Sequence, residues 1–241
     1  MLPAKTHREV RNPQISARFL ADYMAASETA KRTVVRGCKY QPIARVVQHD
    51  EAKLAVARFI RSGHSDIAVL GHEAQTLRDR MADSEFDRDV LDHNADYIDR
   101  FASVASSLVL PSADLLVPGK AHAIELNGVR IPVEIHFRLR RVTQTNRVRV
   151  GAAMLRYAKG KALAPAVGEW QSAFLLGYLN LTEPDDSVEP ERKLCLTIDA
   201  YSGVSHSAPS DSVRRFQNMK AACATIAERW PAIAPPLGAV I

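Results

Sequence analysis

The side chains best placed for chemistry lie near the middle of the chain. Glu134 and His136 stand two apart in a segment that alternates apolar and polar residues, so both project from one face of a strand. An acid beside an imidazole can hold a divalent ion or move a proton. Asp89, Asp92, His93, Asp96 and Asp99 recur at helical spacings, mostly along one stripe. Such a stripe can take a metal. It is equally the solvated side of a helix whose other side carries Val90, Leu91 and Phe101, and this is the simpler reading. Asp199 ends an apolar strand before Tyr201, Ser202 and Gly203, where it is expected to cap the turn through nearby backbone N–H groups. His64 and His72 lie two helical turns apart without a third ligand. Cys38, Cys195 and Cys223 show no Cys-x-x-Cys spacing and read as buried small hydrophobes. The sequence has no glycine-rich phosphate loop, no Gly-x-Ser-x-Gly elbow and no His-Glu-x-x-His, which argues against nucleotide hydrolases, serine esterases and zinc proteases of those kinds.

A second kind of chemistry is electrostatic. Residues 130–161 hold nine basic side chains and one acid, Glu134, a net +8 that leaves −3 for the rest of a chain whose formal charge is +5. Arg138 and Arg140 precede a turn at 143–146, and Arg147 and Arg149 follow it. Antiparallel pairing is therefore expected to bring the four together on the polar face of a sheet. Arg156, Lys159 and Lys161 continue the block. Like charges this close repel unless an anion bridges them, and a planar guanidinium grips phosphate through two hydrogen bonds. Residues 66–100, with a net −6, offer an internal way to neutralise part of that face. Lys31, Arg32, Arg36 and Lys39 form a smaller, exposed basic patch, expected as an auxiliary phosphate contact or a partner surface.

The elements that position these groups change character near residue 110. Before it, apolar residues recur at helical period, and helices are expected over about 16–27, 30–38, 50–62, 65–83 and 85–107. Beyond Pro118 the period becomes two. Asn127-Gly128 between two alternating runs marks a hairpin turn that requires positive φ. Its second strand is expected to run unbroken to Val142. Val129, Ile131, Val133, Ile135, Phe137 and Leu139 would then face inward, and Glu134, His136, Arg138 and Arg140 would face water. A strand over 147–157, a helix over 166–181 and a strand over 194–200 with a short return follow. A last helix, capped by Ser210, is expected to turn Val213, Phe216, Met219, Cys223, Ile226 and Trp230 inward.

A helix, three antiparallel strands, a helix and a further strand resembles the core of the PD-(D/E)XK nuclease-like superfamily over roughly residues 85–200. The resemblance implies a restriction-endonuclease-like α-βββ-α-β core. It also implies a catalytic acid on the second strand, an acid-x-Lys on the third, and Mg²⁺ or Mn²⁺ that activates water for attack on phosphorus. Carried over residue by residue, Glu134 stands for the acid and His136 for a ligand or base, while Gln171 and Tyr178 lie on the following helix. The segment Gly151-Ala152-Ala153-Met154-Leu155, where the acid-x-Lys belongs, offers neither acid nor lysine. The resemblance therefore implies a member that keeps binding and has lost catalysis.

The sequence thus leads to an α+β protein with a helical N-terminal region over 1–84 and a nuclease-like sheet domain over 85–241 ending in a C-terminal helix. It is expected to bind DNA or RNA through its arginine face, without a cofactor. Two alternatives accompany this reading. One is an active Mg²⁺- or Mn²⁺-dependent nuclease with a migrated site built from Glu125, Glu134, His136 and Asp89 or Asp92. The other is a protein-interaction subunit whose basic face meets an acidic partner. A content of 46% hydrophobic and 24% charged residues excludes wholesale disorder. No uncharged apolar run reaches the roughly 20 residues of a membrane helix. Sparse cysteines and a polar N-terminus point to a cytoplasmic location.

Overall fold

The computed structural model describes residues 5–43, 49–63, 66–183, 185 and 187–241, and the chain is of the α+β class. It opens with β1 (His7–Glu9), α1 (Ala17–Ala25), α2 (Glu28–Lys39) and β2 (Tyr40–Pro42), followed by α3 (Asp50–Arg61), α4 (Ala68–Asp79) and α5 (Glu85–Ala102). Then come β3 (Asp114–Leu116), β4 (Ile124–Leu126), β5 (Val129–Ile131), β6 (Phe137–Val142) and β7 (Val148–Arg156). The remainder is α6 (Pro165–Thr182), β8 (Val188–Pro190), β9 (Leu196–Asp199), β10 (Val204–Ser207) and α7 (Ser212–Arg229). Local chemistry sets several of the helix starts. The Ser16, Ser27 and Ser84 hydroxyls accept the backbone N–H three residues on, the usual way to satisfy an orphan donor. Pro165 occupies the first turn of α6, where its missing N–H costs nothing.

The main sheet has the order β3-β6-β7-β9-β10, and β8 lies beside the first half of β7. β6 is antiparallel to β3 and β7, and β10 is antiparallel to β9, while β7 and β9 run parallel. Parallel neighbours need a long crossover, and α6 supplies it. One face of the sheet presents Phe137, Leu139, Ala153, Leu155, Leu196 and Ile198 to α3, α4 and α5, where Phe59, Ile60, Leu77, Ile98 and Phe101 are buried. The other face presents Ala152 and Met154 to α6, joined by residues of α1, α2 and α7. Both faces are therefore covered over much of the sheet, and of the side chains expected to face water, Glu134 and Arg140 are exposed, Arg138 is half-buried and His136 is buried. Each apolar cluster draws residues from both sides of position 84.

The hairpin forms as its sequence requires, with Asn127 at φ 45° and Gly128 at φ 79° between β4 and β5. The long strand that should follow does not form. Pro132 has no N–H to continue the ladder, and the chain leaves β5 there and enters the main sheet only at Phe137. Val129 and Ile131 therefore lie in one apolar cluster, and Phe137 and Leu139 in the other. The hairpin is an insertion between β3 and β6, and β3, absent from the sequence reading, is the first strand of the sheet. Gly151 allows a close approach: a side chain there would overlap the Leu194 carbonyl, in the turn leading to β9. Val213 is 68% exposed instead of inward. Two successive three-residue steps rotate it roughly 120° from Met219, off the stripe that Met219, Cys223 and Ile226 share.

Candidate nucleic-acid interface

The pairing register places the arginines differently from the expected cluster. Arg138 is opposite Ala152, Arg140 is opposite Val150, and Arg149 is opposite Arg141. Arg138 and Arg140 thus project from one face, and Arg141 and Arg149 from the other. The anion that bridges most of these charges is internal. Arg138 donates to Glu183 at 2.6 Å, and Arg141 grips Glu191 through two hydrogen bonds of 2.9 and 2.5 Å. Arg149 pairs with Glu189. The three acids come from the end of α6 and from β8 and its following residue. Arg140 and Arg147 are exposed and make no ion pair among the described residues, although Asp114 stands opposite Arg140 in the β3–β6 ladder. Arg147 opens onto a cavity of about 510 Å³ that also contains Glu183, Asp185 and Glu189, an acidic setting unlike the phosphate grip first expected.

At the other end of β7 the setting changes. Arg156 is 8% exposed, and its guanidinium donates to Asp22 Oδ1 and Gln171 Oε1, both at 2.7 Å, and to the Arg18 carbonyl at 3.3 Å. Burial lowers its pKa, and Asp22 acts against that shift. Arg18 and Lys161 are exposed beside it, without an acid partner among the described residues, and border the same groove of about 190 Å³. Lys159 is held by Asp96 of α5 at 2.9 Å. The ends of β7 that carry Arg147 and Lys161 are separated by roughly 30 Å of strand, so the basic residues form two separate regions.

Glu134 and His136 do come together. Lys53 of α3 donates to Glu134 Oε1 at 2.9 Å, and His136 Nε2 lies 3.2 Å from the same oxygen. His136 Nδ1 accepts the Leu155 backbone N–H at 3.1 Å, so the proton of the neutral ring belongs on Nε2, facing the carboxylate. Burial would raise the Glu134 pKa, but His136 and Lys53 beside it hold it down at about 2. Behind this pair, Tyr97 stacks on Tyr157 with centroids 4.0 Å apart, and His49 meets both rings edge-on. Tyr97 Oη and His49 Nδ1 are buried without a hydrogen bond among the described residues. Burial, reinforced by the Glu134 charge, raises the Tyr97 pKa, and burial with nearby cations lowers that of His49.

The donors expected for a divalent ion do not converge. Asp92 pairs with Arg88 at 3.1 Å, and Glu125 stands opposite Arg130 in the separate hairpin. The Asp89 carbonyl binds the His93 ring at 2.6 Å, while Asp96 and Asp99 engage Arg78. Among the described residues, no three His, Cys, Asp or Glu side chains are grouped to hold a metal. The residues present do not fit Mg²⁺ or Mn²⁺, because the third-strand positions Gly151 to Leu155 are buried, non-ligating side chains. Asp199 caps its turn as expected, accepting from Leu163 and Tyr201 N–H and from the Ser202 hydroxyl. Tyr178 accepts the His122 N–H, and like Gln171 it is interior. His64 lies outside the described residues.

The smaller basic patch divides. Lys31, Arg32 and Arg36 border a cavity against α7. Lys39 is instead 4% exposed, because its ammonium donates to the Trp230, Pro231 and Ile233 carbonyls at 2.8–3.3 Å. Sequence reasoning missed Arg18, Asp22, Lys53, Tyr97 and the three neutralising glutamates, whose partners are distant along the chain. Among the described residues no helix is long and apolar enough to cross a membrane. Comparison with family models and with curated protein sequences finds no match.

Proposed function

We propose that the protein binds DNA or RNA without cleaving it, on a nuclease-like scaffold. The order α5-β3-β6-β7-α6-β9 supports the resemblance to the PD-(D/E)XK core: helix, three antiparallel strands, crossover helix, parallel strand. The observation that carries the reading is the groove at the end of β7, where exposed Arg18 and Lys161 flank Arg156. A guanidinium neutralised by Asp22 and hydrogen-bonded to Gln171 stands at the end of the strand on which that family carries its catalytic lysine. Among the described residues these two cations have no acid partner and can meet phosphate oxygens, and this contact positions a strand without reading its bases. Arg140, exposed at the far end of the sheet, offers a second, weaker contact.

Fluorescence anisotropy with labelled single- and double-stranded oligonucleotides of DNA and RNA, across a salt series, tests the proposal. Affinity falls as salt rises, and Arg18→Ala and Lys161→Ala each reduce the log–log slope by about 0.7 to 0.9. Binding that ignores salt, or is unchanged in the double variant, overturns it.

A further inference from the structure

We infer that α2 and α7 enclose a separate site for a small phosphomonoester with an apolar body, of the size of a mononucleotide. An open cavity of about 430 Å³ lies between these helices and the short turn that follows α7. Sites for small molecules commonly have volumes of about 300–1,000 Å³. Arg32 and Arg36 reach it from adjacent turns of α2, and Arg229 reaches it from the end of α7. None of these three guanidiniums has an acid or hydrogen-bond partner among the described residues. Lys31 shares the rim, held to Glu28 at 2.7 Å. One acid therefore answers four cations here, whereas the sheet arginines Arg138, Arg141 and Arg149 each have a carboxylate. Like charges four apart on a helix are destabilising unless something else draws on them.

The floor of the cavity is apolar, formed by Val35, Ile226 and Ile233, with the Tyr23 ring at its edge. One wall is held in place from behind. Buried Lys39 binds three carbonyls of the turn after α7, and the Tyr40 hydroxyl donates to the Ile233 carbonyl at 2.9 Å. A fixed wall reduces the ordering cost of a ligand. Inorganic phosphate would leave the floor uncovered. A nucleic-acid backbone carries one charge per phosphate along its length, while three guanidiniums lining one small cavity suit a dianionic terminal group. The site is distinct from the groove at the end of β7 and does not depend on the reading given to that groove.

Isothermal titration of the full chain with AMP, phenyl phosphate, adenosine and inorganic phosphate tests the assignment. AMP and phenyl phosphate are expected to saturate one site, adenosine not to bind, and inorganic phosphate to bind at least tenfold more weakly than AMP. Arg36→Gln and Arg229→Gln each weaken AMP by about tenfold or more, the scale of a lost charge-assisted hydrogen bond, and Arg58→Gln, on α3 and outside both sites, leaves it unchanged. Unchanged melting curves for the variants confirm that they fold. Failure of both phosphomonoesters to saturate, or equal affinity in Arg36→Gln and Arg229→Gln, overturns the proposal. Displacement of AMP by an oligonucleotide lacking terminal phosphates overturns it as well and gives the cavity to nucleic acid.

Discussion

Arg156 on β7 and Asp22 on α1, 134 residues apart, meet in a 2.7 Å ion pair that fastens the first helix to the end of the sheet. Arg156 is 8% exposed, so its charge has little water to fall back on. Asp22→Asn should therefore cost about 3 kcal/mol in urea denaturation, the low end for breaking a buried pair. Replacing both partners, Asp22→Asn with Arg156→Met, should restore part of that loss. A single variant as stable as the parent would show that the guanidinium is neutralised elsewhere.

The glutamates that hold the sheet arginines compete with any phosphate. Changing Glu183, Glu189 and Glu191 together to Gln releases Arg138, Arg149 and Arg141. Oligonucleotide affinity should rise at low salt, and the salt slope should steepen by up to about 0.9 for each cation that finds a phosphate. An unchanged slope would place those arginines outside the interface.

Glu134 provides a pH signature. Its pKa falls from an ordinary 4.5 to about 2 in the folded chain. A depressed carboxylate contributes stability above its unfolded pKa and loses that contribution as pH drops through the folded value. Stability should therefore decline between pH 4.5 and 2, and Glu134→Gln should flatten that part of the curve. The carboxylate is half exposed, so solvent screening keeps the effect to about 1 kcal/mol or less. Equal acid profiles for the two proteins would contradict the Lys53 and His136 contacts.

Burial pushes the thiols of Cys38, Cys195 and Cys223 up to about 12. None should react with Ellman's reagent in the native protein at pH 8, and all three should react in denaturant. Prompt native labelling would mean that one of them is exposed.

Gly151→Ala should lower stability by about 3 kcal/mol or prevent folding, because the new methyl meets the Leu194 carbonyl, part of the main chain. A thermal melt within a degree or two of the parent would show that the turn before β9 can move aside.

Much of this architecture can be read from residue types. Helical period and the Asn127-Gly128 turn each arise from interactions a few residues long, and the elements they specify formed close to the expected bounds, whereas Ser210 does not cap α7, whose N-cap is Asp211. The sheet was less legible. β3 is only three residues long and carries too little pattern to register, and the alternation through Val133 and Ile135 hid the break that Pro132 imposes. The arginine block was visible as charge, but its neutralisation was not. Arg138 and Glu183 are 45 residues apart, Arg141 and Glu191 are 50, and spacing along a chain says nothing about such meetings. Lys39 looked like its neighbours on α2 until the turn after α7 closed over it.

The passage from β5 to β6 has a further consequence. In about five residues the chain passes from the apolar cluster on the α6 side of the sheet to the one on the α5 side, so the two helical layers share a short connection as well as a sheet. Neither layer can be exchanged as a module, since a recombination breakpoint on either side of Pro132 would sever an inward-facing segment from the layer it fills. The chain is therefore expected to vary by substitution and loop growth, with its two halves inherited together.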